Sequence, residues 1–272
     1  MMTDDLLAVR RVRHPIKVRR LEVKRITELS PAMRRITLTG PELAGFYSAS
    51  FDDHVKLMVP ERAGAALHLP VLGEQGLVFA EGRPKPAMRD YTPRRYDPVA
   101  NELDIDFVLH HEGPATDWAT AAEPGHALGI AGPRGSFVIP MAFDWHLLIG
   151  DETAIPAIGR RLEELPAEAT AIAIIKVKSE QARQALASQG SLQLRWVVEA
   201  GLPESGGMGA LEAAVRELVL PPGEGYVWAA GEYSDIKAVR HYLATELGID
   251  KSRIRAASYW RRSQPDSHEH FE

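Results

Sequence analysis

Arg89-Asp90-Tyr91-Thr92-Pro93-Arg94 opens the stretch that decides the fold, and Gly113-Pro114-Ala115-Thr116-Asp117-Trp118 closes it. Between them Leu103, Ile105, Phe107 and Leu109 alternate with Asp104, Asp106, Val108 and His110, the cleanest period-two pattern in the chain and the mark of a strand. On a strand at 88–95, Arg89 and Tyr91 project to the same face, and Pro93 favours an extended Thr92 before it. A planar guanidinium donates two parallel hydrogen bonds to a phosphate. An aromatic ring offers a flat surface, and a hydroxyl can bond a ring nitrogen. Gly113-Pro114 turns the chain into a short helix that Thr116 is expected to cap, with free N–H groups that attract phosphate oxygens. The whole suits a flat cofactor carrying a diphosphate, as a flavin does; an edge strand followed by a plain strand-turn-helix is the alternative.

Outward from this stretch the first half reads as β-rich. Segments 17–29 and 33–39 form a hairpin around Ser30-Pro31, 54–59 is a further strand, and Ala127–Ile130 and Ser136–Ile139 flank Gly132-Pro133-Arg134-Gly135. The Gly-, Pro- and Ala-rich residues 61–87 read as a surface excursion. After Pro140–Asp144 the character changes. Strands at Trp145–Ile149, Thr170–Val177, Leu192–Val198, Tyr226–Ala230 and Arg253–Trp260 alternate with helices running to Leu165 and over Gln181–Ser188, Gly209–Leu218 and Asp235–Leu247. Repeated βα units argue for a parallel sheet covered by helices. The domains are therefore expected at 15–141 and 142–262, with a polar C-terminal tail at 263–272.

Composition narrows the function. The 272 residues carry a formal charge of −5, which argues against a nucleic-acid binder working by overall charge. The chain has no cysteine, which excludes disulfides, thiol nucleophiles and cysteine-ligated iron–sulfur clusters. No apolar run reaches membrane-spanning length, and the N-terminal residues lack the apolar stretch of a secretory signal; a cytoplasmic monomer is expected. Arg10, Arg11, Arg13, Lys17, Arg19 and Arg20 make either an anion-binding arm or a solvated leader into the first strand. His110 and His111 read as flanking residues, since no matching ligand cluster accompanies them, and no metal site is expected.

In the second half Thr153 can cap the helix after Asp151-Glu152 and donate to a phosphate, although the turn lacks the glycine-rich dinucleotide fingerprint. Lys176 and Lys178 follow the second strand, where dinucleotide enzymes read the ribose 2′ position. Lysine attracts a 2′-phosphate, which favours NADPH over NADH. Gly231-Glu232 follows another apolar strand, where backbone can approach a nicotinamide; a plain strand-to-helix turn is the alternative.

Phe51-Asp52-Asp53-His54-Val55-Lys56-Leu57, Arg89-Asp90-Tyr91-Thr92, the segment from His110 to Trp118, Ala131-Gly132-Pro133-Arg134-Gly135-Ser136, Gly150-Asp151-Glu152-Thr153-Ala154-Ile155-Pro156, Ala230-Gly231-Glu232 and Ala257-Ser258-Tyr259-Trp260-Arg261 occur in one order over nearly the whole chain. In that order they resemble the siderophore-interacting protein family of flavin-dependent ferric-siderophore reductases. The resemblance implies a ferredoxin-reductase-like fold, an antiparallel FAD-binding β-barrel followed by an α/β NAD(P)H-binding domain with a mostly parallel sheet. It implies FAD on Arg89, Tyr91 and Thr92, with Asp106, Val108, His110, Gly113, Pro114, Ala115 and Thr116 continuing its site. Tyr259 and Trp260 would approach the flavin, a buried final strand being the other reading of that pair. Glu152, Thr153, Lys176, Lys178, Gly231 and Glu232 would serve the nicotinamide cofactor. Lys56, Arg134 and Arg255 would bind an anionic ferric chelate, and no side chain is expected as a catalytic acid, base or nucleophile. Electron transfer to a carrier protein and a non-enzymatic siderophore-binding module are the alternative functions.

Overall fold

β1 (Arg10–Arg13), β2 (Val18–Ser30) and β3 (Met33–Thr39) begin the computed structural model, which describes residues 6–74, 76–109, 113–200, 208–262 and 269–271. β2 and β3 pair antiparallel with Ser30 opposite Met33, and Ser30 Oγ accepts the Ala32 N–H at 3.2 Å. Pro31, with its fixed φ, suits the turn between them. There follow β4 (Val55–Val59), β5 (Val71–Gly73), β6 (Gly76–Val78), β7 (Ala87–Tyr91), β8 (Arg95–Asp97), β9 (Glu102–Val108), α1 (Pro114–Thr120), β10 (Ala127–Ala131) and β11 (Gly135–Val138). Seven strands make one sheet in the order β7-β4-β10-β2-β3-β9-β8. Its outer strands β7 and β8 are joined through Thr92–Arg94, so the sheet curls; hydrogen bonding between strands ends at those two edges.

The alternation in β9 has a physical meaning beyond an inside and an outside. Leu103, Ile105 and Phe107 are fully buried in the curl, beside Trp118 of α1. Glu102, Asp104 and Asp106 on the other face are buried as well, under basic side chains of neighbouring strands. Arg35, opposite Asp106, holds it by bonds of 2.7 and 2.9 Å; Arg95, opposite Asp104, bonds it at 2.8 Å. Glu102 takes Arg25, Lys24 and Arg95 at 2.9–3.2 Å. Hydrogen bonds from Arg25 first, then Lys24, lower the Glu102 pKa to about 2. A carboxylate depressed from about 4.3 in the unfolded chain adds stability above that value and loses it as pH falls through the folded one. Urea unfolding is therefore expected to show stability dropping between roughly pH 4.3 and 2, with a shallower drop in Glu102→Gln. An unchanged slope in that variant would show that other carboxylates govern the loss.

Two readings of the first half need correction. β1 lies before residue 15 and pairs with β11, so the basic leader is a strand rather than free chain. Residues 61–87 are more than an excursion. They carry the β5–β6 hairpin, and Leu69 covers β10 so closely that a Cβ at Gly129 would lie within 2.2 Å of it.

Ala8–Ile139 forms one unit, and the chain from Pro140 forms a second. The second contains β12 (Trp145–Asp151), α2 (Ile155–Glu164), β13 (Thr170–Val177), β14 (Ser191–Val198), α3 (Ala210–Arg216), β15 (Gly225–Glu232), α4 (Tyr233–His241), β16 (Ile254–Trp260) and β17 (Glu269–Phe271). The order is β14-β13-β12-β15-β16-β17, parallel except for β17. Successive strands are added on one side of β12 from β13 to β14 and on its other side from β15 to β16, so the strand order reverses there; ligands of such sheets gather at that switch point, beyond the strand carboxyl ends. Gly150 lets β12 approach its neighbours there, since a Cβ would stand 2.6 Å from Ala230 O.

The helix expected over Gln181–Ser188 does not form. A single 3-10 turn, Glu180–Ala182, is followed by residues without regular secondary structure, and only Ala182 of the segment is buried. So short a helix needs a substantial apolar face to pack, and this segment offers mainly the small side chains of Ala182 and Ala185 beside Leu186. The expected polar tail is also corrected in part, because Glu269–Phe271 adds an antiparallel strand to β16 and Phe271 packs on the core.

Candidate functional site

In the first unit β7 presents the flavin candidates. Tyr91 packs on Phe107 with ring centres 4.6 Å apart, yet remains partly exposed. Burial raises its pKa, so the phenol stays neutral. Arg89 is half-buried and donates to Met88 O at 2.8 Å; Thr92 is buried just beyond. A guanidinium, a flat ring supported from behind and a hydroxyl thus follow one another along a strand end, and this donor set fits a flavin with its diphosphate.

Other residues assigned to that cofactor are otherwise engaged. Asp106 is held by Arg35, with Arg94 at 4.0 Å, so its carboxylate serves the cross-strand ladder. Thr116 does not cap α1. Gly113 is the N-cap, at φ 150°, and the Thr116 hydroxyl donates to Val108 O at 3.3 Å, tying helix to strand. Pro114 and Ala115 open the helix. His110 lies outside the described residues.

The basic residues fall in both units. Lys56 pairs with Ala131 on β10 and with Asp90 on β7; its ammonium meets Asp90 Oδ2 at 2.8 Å and is half exposed. Arg134 is exposed in the turn after β10, so the fold brings the backbone of these two residues to one end of the curled sheet. That turn is fastened by Ser136, which donates to Asp53 Oδ2 at 2.7 Å. Arg255 belongs to β16 of the second unit and is half-buried.

At the switch point of the second unit the central group is Asp151, which the sequence reading left out of its site. Its Oδ1 accepts the Thr153 N–H at 2.9 Å and the Thr153 hydroxyl at 2.5 Å; its Oδ2 accepts Glu232 N–H and Trp260 Nε1–H, both at 2.8 Å. One buried carboxylate therefore joins the ends of β12, β15 and β16. A Cβ at Gly231, where φ is 150°, would stand 2.6 Å from Oδ2, which explains the glycine. The available signal was an aspartate closing an apolar strand two residues before a threonine, the pattern of a capping aspartate.

This geometry revises the nicotinamide candidates. Thr153 is capped by Asp151, so its hydroxyl is not the phosphate donor expected. Glu152 is buried and accepts the Lys178 N–H at 2.7 Å, and burial raises its pKa. Lys176 is buried and bonded to Asp235 on α4, which removes it from the 2′-phosphate role; Lys178 is exposed. Glu232 caps α4 through Ser234 N–H and Asp235 N–H. Tyr259 meets Trp228 edge to face at 6.3 Å, and the Trp260 indole N–H is the one on Asp151.

Comparison with known proteins converges on one family. Residues 22–137 match the siderophore-interacting FAD-binding domain, and residues 143–263 match the siderophore-interacting protein model. The chain is 36% identical over 253 residues to the NADPH-dependent ferric-chelate reductase of Escherichia coli, covering 92% of this chain and 95% of that one. It is 33% identical to the ferric vibriobactin reductase ViuB of Vibrio cholerae, with 93% of each chain covered. A siderophore utilization protein from T. fusca superposes with a TM-score of 0.86 at 36% identity, covering 96% of this chain and 98% of that one. A ferredoxin reductase from carbazole 1,9a-dioxygenase, at 17% identity and a TM-score of 0.62 over 89% of this chain and 69% of that one, shares the fold. The chain is a member of the siderophore-interacting protein family, with the ferredoxin-reductase-like fold.

Proposed function

We propose that this protein is an NADPH-dependent, FAD-containing reductase of ferric siderophores or related ferric chelates. The support is Tyr91, a partly exposed ring packed on Phe107, set between Arg89 and Thr92 on a strand of a FAD-binding domain. When bound, FAD accepts hydride from NADPH and passes electrons singly to Fe(III), whose reduction loosens its hold on hard oxygen ligands. The side chains bind and orient. Arg89 pairs with the diphosphate, Tyr91 carries the isoalloxazine, and Thr92 bonds its polar edge. Lys178 is the cation for the 2′-phosphate. Lys56, Arg134 and Arg255 receive the anionic chelate. We place this activity in the cytoplasm; a chain without cysteine needs no oxidising compartment to form disulfides.

The test is anaerobic. NADPH should bleach the bound flavin, and a ferric tris-catecholate should restore its colour while an Fe(II) trap develops. Flavin that reduces but is not reoxidised by any ferric chelate would overturn the proposal. Tyr91→Ala should weaken FAD retention about tenfold, the worth of a stacked aromatic contact. Fluorescence titration with unchanged FAD affinity would remove Tyr91 from the site.

A further inference from the structure

His14 follows β1 in the basic N-terminal stretch and has no part in the proposed redox site. Residues His14 to Lys17 run beside the turn that carries Arg134. The His14 N–H donates to Arg134 O at 2.9 Å, and the Gly132 N–H donates to Lys17 O at 3.2 Å. Where β1 pairs with β11, Arg13 lies opposite Gly135 and Val12 opposite Ser136. Gly135 permits that approach, since a Cβ there would stand 2.6 Å from Val12 O. Side chains alternate along extended backbone, so His14 falls on the same side as Val12 and Ser136. Its Nε2 lies 2.7 Å from Ser136 Oγ.

The direction of that bond follows from its surroundings. Asp53 Oδ2 accepts the hydroxyls of Ser136 and Ser48, both at 2.7 Å, and the Ser50 N–H at 3.2 Å. The Ser136 proton is thereby committed to Asp53. Its lone pairs take the Ala49 N–H at 3.2 Å and His14, so the imidazole donates from Nε2–H. Asp53 and Ser136 are 3% and 5% exposed; His14 is half-buried, with its ring edge to face on Tyr47 at 5.2 Å. A buried series of hydrogen bonds from His14 through Ser136 to Asp53 therefore ties three segments together: the N-terminal stretch, the Arg134 turn, and the residues that lead into β4 and Lys56. In that turn Pro133 and Ser136 are buried, while Arg134 is exposed. An exposed arginine gives up conformational freedom when it binds an anion, and a backbone fixed beforehand reduces that loss.

We propose that His14 is a positioning residue for the anionic ferric chelate, holding the Arg134 turn in place through Ser136. The proposal rests on the reading of Arg134 as a chelate ligand. Steady-state kinetics of the FAD-loaded protein with a ferric tris-catecholate and with a neutral ferric trihydroxamate test it. His14→Ala should raise KM for the tris-catecholate about tenfold, within the worth of one charge-assisted contact, and leave kcat within about two-fold, as loss of binding common to ground and transition states does. KM for the neutral chelate should change less than about two-fold by the same reasoning. Ser136→Ala, which cuts the link from the other side, should behave as His14→Ala does. His14→Gln, whose amide N–H can donate to Ser136, should recover most of the loss. In an Arg134→Ala background His14→Ala should add almost nothing, because the two residues act as one unit. An unchanged KM in both His14→Ala and Ser136→Ala would overturn the proposal. So would an equal rise for the neutral chelate, a glutamine variant no better than alanine, or an undiminished rise in the Arg134→Ala background. If His14→Ala does not retain FAD, Ser136→Ala decides by the same criteria, and loss of FAD in both would show that these bonds hold the fold rather than Arg134. An Arg134→Ala variant with unchanged KM would remove Arg134 from the chelate site, and the role of His14 with it; a raised KM there with any of the overturning results above would remove His14 alone.

Discussion

Asp151→Ala is expected to destabilise the second unit by about 3–5 kcal/mol and to abolish reduction of the flavin by NADPH. The carboxylate accepts four hydrogen bonds from three residues far apart in the sequence or across a turn: Thr153, Glu232 and Trp260. Alanine removes every acceptor at once. Each buried donor left unsatisfied costs about 1–3 kcal/mol, partly recovered by rotation of the Thr153 hydroxyl and by water. Thr153→Val, which removes one donor and leaves the carboxylate, should cost about 1 kcal/mol by the same reasoning. Asp151→Asn should fall between them, because an amide keeps one acceptor oxygen but turns an N–H₂ towards donors. The functional consequence follows from position. The carboxylate clamps the ends of β12 and β15 where a dinucleotide enters a sheet of this order. Chemical denaturation and single-turnover reduction measure the two effects; an alanine variant within 1 kcal/mol of the parent would show that the clamp is dispensable.

How much of this could be read in the sequence depends on the range of the interaction involved. The strand of β9 was legible because its apolar residues repeat every second position, and the parallel sheet because apolar runs alternate with helical segments. That Asp104 and Asp106 are buried was not legible. Their partners Arg95 and Arg35 lie on other strands, and only the register sets them opposite. Lys176 shows the same limit within the candidate site. A lysine at a strand end reads as a phosphate ligand until Asp235, far along the chain, is found bonded to it. Gln181–Ser188 failed for the converse reason, since good helix formers without a surface to cover do not hold a short helix. The order of family motifs succeeded where individual residues did not, because it registers the fold as a whole. It says nothing about which side chains the fold then ties up, and so Thr153 and Asp106 were assigned to ligands while bonded to their own neighbours.

The same distinction between engaged and available groups ranks the three basic residues. Lys56 carries its own counter-ion, Asp90, at 2.8 Å on the paired strand, whereas the exposed Arg134 guanidinium has no hydrogen-bond or ion-pair partner among the described residues. Arg134→Ala should therefore reduce kcat/KM for an anionic ferric chelate by about 10- to 100-fold, the equivalent of one charge-assisted contact. Lys56→Ala should cost only a few-fold, since removing a half-neutralised, half-exposed charge changes the local field less. Asp90→Asn should act in the opposite direction and improve use of the same chelate, because it frees the ammonium. Arg255→Ala is expected between the two arginine and lysine extremes, as a half-buried cation. All three losses should shrink as ionic strength rises, because the contacts are at least partly exposed. Reduction of the flavin by NADPH should stay within two-fold of the parent in each variant, since none of the three residues is assigned to that step. Stopped-flow measurement of the two half-reactions separates these outcomes. Equal losses in both would mean that the substitutions disturb folding or flavin binding. Equal losses towards a neutral and a trianionic chelate would mean that charge is not what these residues contribute.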